Sequence, residues 1–251
     1  MLELNLLFFA VAIPATVFAG VSKGGFGSGA AFASSAILAI FLEPGQALAV
    51  MLPVLMMIDA ATLKPYWRKW SWPDARLLIL GGLPGVAAGA WLFRATDADL
   101  LRLLIGGISV AFVAWHLAQS RGWIKRVTHQ LPAWAGLLAG VVTGFTSFVS
   151  HAGGPPAAVY LLSQGLDKSR FQATTVITFW AINIAKFIPY AFLGMFTLQT
   201  AWANVLLAPF AVLGAWLGVR AHRLMSERVF FAIAHSLLTL TGLKLIWDAL
   251  T

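Results

Sequence analysis

Long apolar stretches recur along the whole chain and are separated by short polar links. An α-helix needs about 20 apolar residues to cross roughly 30 Å of hydrocarbon. The pattern predicts ten helical segments, at residues 4–22, 26–42, 46–64, 75–93, 100–118, 132–150, 154–164, 171–194, 198–219 and 229–249. Because the seventh is too short to span, about eight to ten segments are expected to form the bundle. The chain is predicted to be an all-α, polytopic integral membrane protein with a single transmembrane domain over residues 1–251.

The composition agrees with this prediction. Hydrophobic residues make up 60% of the chain and charged residues only 10%, whereas soluble domains have about 25% charged residues. The absence of cysteine excludes disulfides, thiolate catalysis and cysteine metal sites. The first apolar run carries Glu3 and no basic residue before Lys23, so it is predicted to stay as a membrane segment rather than act as a cleaved signal peptide.

The cations fall mostly on one side of the predicted membrane. If the segments alternate, one side receives Lys23, Lys64, Arg68, Lys69, Arg76, Arg121, Lys125, Arg126, Lys168, Arg170, Arg220, Arg223 and Arg228. The other side receives only Arg94 and Arg102. Cytoplasmic loops carry the excess of basic residues, so both termini are predicted to be periplasmic. The same loops explain the net charge of +8, and no nucleic-acid partner is predicted.

The chain also contains an internal duplication. At an offset of 124 residues, Ile58–Tyr66 matches Ile182–Tyr190, and at an offset of 125, Pro84–Leu92 matches Pro209–Leu217. The first repeat covers about residues 1–120 and the second about residues 130–251. Each repeat holds five segments, an odd number, so the two repeats are predicted to be inverted in the membrane. Inverted repeats are typical of transporters. The prediction also holds if segments 1–2 and 6–7 turn back as hairpins, in which case Lys23 lies at a hairpin tip within the membrane.

Two segments at corresponding positions are interrupted, by Ser22–Gly29 and by Ser147–Pro156. Paired interruptions of this kind point to a binding site near the midplane. The helix N-termini that follow them have free N–H groups and suit an anion. For the glycines, close helix packing is the alternative interpretation. The substrate-binding candidates at these tips are Ser22, Lys23, Gly24, Gly25, Ser28, Ser147, Ser150, His151, Gly153 and Gly154.

Segment 8 carries a polar stripe. Its members are spaced to share one helix face and are Gln172, Thr175, Phe179, Asn183, Lys186 and Tyr190. All except Phe179 are substrate-binding candidates. A lysine held deep in the bilayer costs roughly 2.5–3.5 kcal/mol on insertion scales, which favours a functional role. The alternative is that Lys186 extends to the interface.

Asp59 is the only acidic residue well inside a segment, and it corresponds to Asn183 in the duplication. Two interpretations remain open for it: it binds a coupling proton or a cation such as sodium, or it neutralises a lysine. An inverted two-fold axis would bring the two motif helices together, so Asp59 and Lys186 are predicted to pair across it.

An enzymatic interpretation would use Ser150, His151 and Asp59. The chain has no Gly-x-Ser-x-Gly elbow, and adjacent residues on a helix project in different directions, so Ser150 and His151 form a poor nucleophile–base pair. The histidines are scattered, without a His-Glu-x-x-His motif, and the glycine-rich tips lack nucleotide-binding spacing. No catalytic residue, metal site or cofactor is predicted.

These motifs resemble those of the sulfite exporter TauE/SafE family of membrane permeases. The resemblance lies in Ser150–Pro156, Gln164–Lys168 and the helix with Asn183 and Lys186. The first half departs from the family, which commonly has a Gly-Gly-Gly run followed by proline where this chain has Gly24–Gly29 followed by alanine. The resemblance implies a bacterial inner-membrane protein that handles sulfite, sulfonates or related organosulfur anions.

The sequence thus favours a secondary transporter that exports a small sulfur-containing anion by alternating access. The alternatives are an importer of another small organic anion and an integral-membrane enzyme that uses His151 as a base. The expected partners are the small anion, the lipid bilayer and the coupling ion. The oligomeric state is left open.

Overall fold

A computed structural model describes residues 2–26, 30–124, 129–224 and 227–251, with the backbone alone for 221–224 and 227–228. These residues form ten α-helices and no strand: α1 Leu6–Gly25, α2 Ala33–Phe41, α3 Pro44–Leu63, α4 Trp72–Ala95, α5 Ala98–Ser120, α6 Ala133–Ser150, α7 Gly154–Ser163, α8 Lys168–Phe192, α9 Leu198–Leu224 and α10 Glu227–Leu250. Eight of them are long and apolar enough to cross a membrane. The all-α, polytopic prediction is confirmed.

Helices α1 and α2 form a hairpin that turns back inside the bundle. Ser34, at the start of α2, donates a hydrogen bond to the carbonyl of Ala15 at 2.6 Å, halfway along α1. The end of α2 lies beside the start of α1, where Phe41 and Phe8 line a common cavity. With nine residues α2 is about 14 Å long and reaches only halfway across the bilayer.

Helices α6 and α7 form the corresponding hairpin in the second half. Gly153 packs against the middle of α6, where an added Cβ would lie 2.8 Å from the carbonyl oxygen of Thr143. The end of α7 returns to the start of α6, where the Gln164 amide donates to the carbonyl of Leu131 at 3.1 Å. Both interrupted segments are therefore re-entrant hairpins.

The hairpins set the direction of every other helix. We call the end of the bundle at which α1 begins the first end. Because α1–α2 returns to the first end and α6–α7 returns to the opposite, second end, the six other helices alternate between them. Arg102 and Glu43, 3.6 Å apart, tie the starts of α5 and α3 together at the first end. The two halves consequently run in opposite directions, and both described termini lie at the first end.

Each hairpin packs against a helix of the other half along one row of glycines, which we call a glycine seam. A Cβ added to Gly20 in α1 would lie 2.5 Å from the backbone of Gly214 in α9, and one added to Gly144 in α6 would lie 2.8 Å from the carbonyl carbon of Gly82 in α4. Backbones this close leave no room for a side chain, as in the small-residue contacts of membrane helices. The α1–α2 hairpin thus packs against the second half, and the α6–α7 hairpin against the first half.

The glycine contacts align the two halves differently from the sequence match. Gly214 packs against Val17, and Gly85 packs against Val141, which is the residue 124 positions after Val17. Gly85 is therefore the packing counterpart of Gly214, although the sequence match pairs Gly214 with Gly89. The difference is one helical turn. It arises because glycine recurs at every fourth position along the seam, so a match shifted by one turn still aligns glycine with glycine.

The predicted segment 26–42 is much shorter in the structure. Its helix α2 begins only at Ala33, after a turn in which Ala33 N–H donates to the Ala30 carbonyl at 3.1 Å. The preceding glycine-rich stretch weakens any helix, since glycine loses the most backbone entropy on folding. The other helices match the predicted segments to within a few residues.

Candidate anion-binding site

A fully enclosed polar cluster lies where the two hairpins meet α3 and α8. Lys23, in the last turn of α1, forms an ion pair with Asp59 of α3, with Nζ 2.6 Å from Oδ1. The second carboxylate oxygen of Asp59 accepts a hydrogen bond from the Asn183 amide of α8 at 2.8 Å. The exposed fractions are 3% for Lys23 and 0% for Asp59. This pair is therefore buried, with Lys23 on one oxygen of the carboxylate and Asn183 on the other.

Lys186 occupies the other side of Asn183. Its ammonium donates to the Asn183 carbonyl oxygen at 3.3 Å and to the Ser147 hydroxyl at 3.1 Å, and it lies 2.6 Å from Nδ1 of His151. These three acceptors match the three donors of an ammonium group. Lys186 is 0% exposed, so the interfacial alternative for this residue is wrong.

His151 ends α6 in the left-handed conformation, with φ 58°. Its Nε2 lies 3.1 Å from the carbonyl oxygen of Leu48. A carbonyl can only accept, so Nε2 carries the proton, and Nδ1 accepts from Lys186. Both ring nitrogens are engaged within the protein, and the ring is neutral in this arrangement.

The predicted pairing of Asp59 with Lys186 is wrong, because Asp59 pairs with Lys23. The hairpin turn places the last turn of α1 level with Asp59, whereas Lys186 is drawn towards the end of α6. Among the described residues, Lys186 has no carboxylate within 4.0 Å. The cluster therefore holds two lysines and one carboxylate, an excess of one formal positive charge.

A small cavity lies inside this cluster. Its volume is about 10 Å³, and it is lined by Lys23, Ala31, Leu55, Ser147, His151, Phe179 and Asn183. This is room for about one water molecule. The binding site predicted near the midplane is nearly filled in this structure, because the side chains around it bind one another.

The cavity lies on the axis that relates the two halves. Its lining includes Lys23 with Ser147 and Leu55 with Phe179, two pairs of positions that are 124 residues apart. Asp59 and Asn183, in direct contact, have the same separation. Residues at equivalent positions of an inverted repeat meet only at its axis, so the site belongs equally to both halves.

A family model described as Sulfite exporter TauE/SafE matches residues 12–245. The chain belongs to the sulfite exporter TauE/SafE family. Neither the curated proteins nor the solved structures gave a significant match. The family consists of membrane transporters of the sulfur-anion exporter type, and the resemblance predicted from the sequence is confirmed.

In this TauE/SafE protein, the described glycines of the first tip, Gly24 and Gly25, pack against α9. A Cβ on Gly24 would lie 2.6 Å from the carbonyl oxygen of Ala215 in α9, and Gly25 packs against Gly218. Ser22 is buried in α1. None of these three lines the cavity, so Lys23 is the one described member of this tip that does. Ser28 lies outside the described residues.

The second tip contributes two of its five candidates to the cavity, Ser147 and His151. The Ser150 hydroxyl donates to the Thr146 carbonyl in its own helix at 3.0 Å. Gly153 is packed so tightly that an added Cβ would lie 2.8 Å from the Phe179 ring. Gly154 is buried as the first residue of α7. Pro155 and Pro156 follow it and lack N–H groups, so the start of α7 has two fewer backbone donors for an anion than an ordinary helix N-terminus.

The predicted stripe on α8 is buried along its whole length, but its members do different things. Asn183 and Lys186 belong to the cluster. The Gln172 amide donates to the carbonyl of Lys23 and so supports the end of α1. Thr175 donates to the Phe171 carbonyl of its own helix at 2.6 Å. Gln172 and Thr175 do not line the cavity.

The fifth candidate of the stripe, Tyr190, binds the backbone of α6. Its hydroxyl donates to the carbonyl of Phe148, the residue after Ser147, at 2.7 Å. Tyr66 donates to the carbonyl of Gly24, the residue after Lys23, at 3.0 Å. The two donors are 124 residues apart, and so are the two acceptors, so the bonds are equivalent in the two repeats. Tyr66 is absent from the predicted set, although the tyrosine shared by the two repeated motifs was a usable signal.

Proposed function

We propose that this protein is a secondary transporter that exports a small sulfur-containing anion, such as sulfite or an organosulfonate, across the bacterial inner membrane by alternating access. One observation carries the proposal. Lys186 lies fully buried beside the axial cavity, bound to its lining residues Ser147, His151 and Asn183, with no carboxylate of its own among the described residues. A buried charge without a partner is strongly destabilising, so the site favours a bound anion.

The donors around the cavity suit an oxyanion. The lining includes the ammonium of Lys23, the hydroxyl of Ser147 and the amide of Asn183, and the ammonium of Lys186 lies behind Ser147 and Asn183 at 3.1 and 3.3 Å. Charge-assisted hydrogen bonds from such groups are about twice as strong as neutral ones. Phe179 and Leu55 enclose the remaining sides. This combination favours a compact anion with several oxygens over a bulky one.

Alternating access is supported by the different state of the two ends. At the first end, a cavity of about 320 Å³ opens between α1, α2 and α3, and Glu3, Asn5 and Glu43 are among its lining residues. At the second end, Tyr160 of α7 donates to Asp74 of α4 at 3.2 Å, and Ser71 donates to the same carboxylate at 2.5 Å. The first end thus has an open cavity, and the second end is held together by these hydrogen bonds.

We assign the second end to the cytoplasm. Of the thirteen cations that alternation places on one side, all but Lys23, hence twelve, belong in the sequence to the terminal turns of the helices that meet at this end or to the links between them, against Arg94 and Arg102 at the first end. Both termini are then periplasmic. A periplasmic reporter fused after Thr251 is expected to be active and a cytoplasmic reporter silent. The reverse pattern would contradict this orientation.

The main test is sulfite flux in proteoliposomes. Lys186→Ala is expected to abolish flux and anion binding, because it removes the buried cation. Lys244→Ala is the matched control, since Lys244 is an exposed lysine of α10 that pairs with Asp248. Normal flux in Lys186→Ala would overturn the proposed site.

A ligand screen separates the alternatives. Bound ligand raises thermal stability by mass action, so sulfite, sulfate, thiosulfate, taurine and sulfoacetate are compared with carboxylates. Stabilisation by carboxylates alone would favour a carrier of another organic anion, and inward flux under physiological gradients would favour an importer. Recovery of a chemically altered solute would instead revive the enzymatic interpretation with His151.

A further inference from the structure

Asp59 holds the place that a substrate anion would take. Its Oδ1 forms an ion pair with Nζ of Lys23 at 2.6 Å, and its Oδ2 accepts a hydrogen bond from the Asn183 amide at 2.8 Å. Both donors also line the small cavity on the axis. An oxyanion bound there would use the same ammonium and the same amide. The protein's own carboxylate therefore occupies part of the anion's binding site.

The small volume of the cavity leads to the same conclusion. A cavity of about 10 Å³ admits one water, and an oxyanion of sulfur is several times larger. In this conformation the anion has no room beside the intact Lys23–Asp59 pair. To bind here it has to take donors away from the carboxylate, and Asp59 is 0% exposed, in the last third of α3. A carboxylate that lost Lys23 in this position would be a buried, unpaired charge.

We propose that the incoming anion replaces the Asp59 carboxylate at Lys23, and that Asp59 takes up one proton from water as it does so. This inference rests on the proposed function and adds its coupling step. No covalent bond other than the carboxyl O–H forms, and the proton leaves when the anion is released. The neutral carboxyl can then donate a hydrogen bond to the anion that displaced it.

The groups around Asp59 agree with protonation at this residue. Lys23 faces it from α1, Asn183 and Lys186 face it from α8, and His151 lies behind Lys186. Thr62, on its own helix, bonds to backbone carbonyls. Asp59 is the one carboxylate of the described cluster, and His151 is the competing proton acceptor.

The inference predicts a fixed proton count. Binding of one anion takes up one proton, so affinity falls about tenfold for each pH unit above neutrality once Asp59 is ionised in the free protein. The count is measured by titration calorimetry of the purified protein in two buffers of different ionisation enthalpy. The probes are sulfate and methanesulfonate, which do not themselves titrate near neutral pH.

Two variants assign the proton. In Asp59→Asn, binding is expected to persist with no proton uptake and no pH dependence. In His151→Asn, proton uptake by whatever anion still binds is expected to stay near one. A carboxyl band that appears on anion binding in infrared difference spectra, and is missing in Asp59→Asn, would identify the group directly.

The outcomes are separable. Binding without proton uptake in the wild-type protein would overturn this inference and leave the proposed function intact, and this measurement needs no variant to fold. Proton uptake that survives in Asp59→Asn would overturn it as well. If neither probe binds, the proposed anion site fails, and the inference fails with it.

Discussion

The two halves share a frame but differ in charge. Tyr66 binds the carbonyl of Gly24 at 3.0 Å, and Tyr190 binds that of Phe148 at 2.7 Å, so the same bond fixes both hairpins. The polar residues next to these bonds differ between equivalent positions of the two repeats. The pairs are Lys23 with Ser147, Asp59 with Asn183, and Thr62 with Lys186.

The two halves therefore contribute different charges to the cluster. The first half holds a self-compensated ion pair, Lys23 with Asp59, and its Thr62 bonds back to its own helix at 2.9 Å. The second half holds Lys186, which reaches across to the α6–α7 tip. In the proposed function, the similar hairpins of the two halves make the scaffold symmetric, and the unequal charges provide the proposed anion site and its counterion.

The largest difference between equivalent positions is expected for Lys23→Ala and Ser147→Ala. Removing Lys23 leaves Asp59 buried and unpaired, which we expect to destabilise the protein by about 3–5 kcal/mol. Removing the Ser147 hydroxyl takes away one of three acceptors of Lys186, and we expect about 1 kcal/mol. Denaturant unfolding in detergent measures both.

The double variant Lys23→Ala/Asp59→Asn provides the control, because it removes both charges and is expected to regain most of the lost stability. Equal, small effects of the two single variants would show that the ion pair contributes little to folding.

Moving the carboxylate across the axis is expected to affect binding more than folding. In the double variant Asp59→Asn/Asn183→Asp, the carboxylate stands where the Asn183 carbonyl oxygen now lies, 3.3 Å from Lys186. It would neutralise the anion-binding lysine, and we expect anion affinity to fall about 100-fold, or about 2.8 kcal/mol. Calorimetry measures the affinity, and thermal unfolding checks the fold. Unchanged affinity would mean that Lys186 does not bind the anion.

The smallest effects are expected where the halves are alike. Tyr66→Phe and Tyr190→Phe each remove one buried hydroxyl donor and leave the ring. Hydrogen bonds within membrane proteins contribute about 0.6 kcal/mol on average, so we expect losses of about 0.5–1.5 kcal/mol of similar size in both variants. A large loss in only one variant would show that the two hairpins are not held in the same way.

Much of the fold follows from the sequence alone. Helices depend on local periodicity and on apolar length, so ten segments, the two interruptions and the buried stripe on α8 were all predictable. The offset of 124 residues linked Asp59 with Asn183 before any contact was known. The burial of Lys186 followed the same logic, since its neighbours on the stripe are spaced to share one face.

The tertiary structure alone decided which of these residues act together. Lys23 pairs with Asp59 because the α1–α2 hairpin turns back, and neither residue's surroundings in the sequence specify that turn's depth. Ser150 and Thr175 bond to their own helices, since a hydroxyl next to a free backbone carbonyl satisfies itself locally. A repeat unit specifies its own helices and their polar faces. The site depends on how two such units meet at their axis, and that is fixed by contacts between residues far apart in the chain.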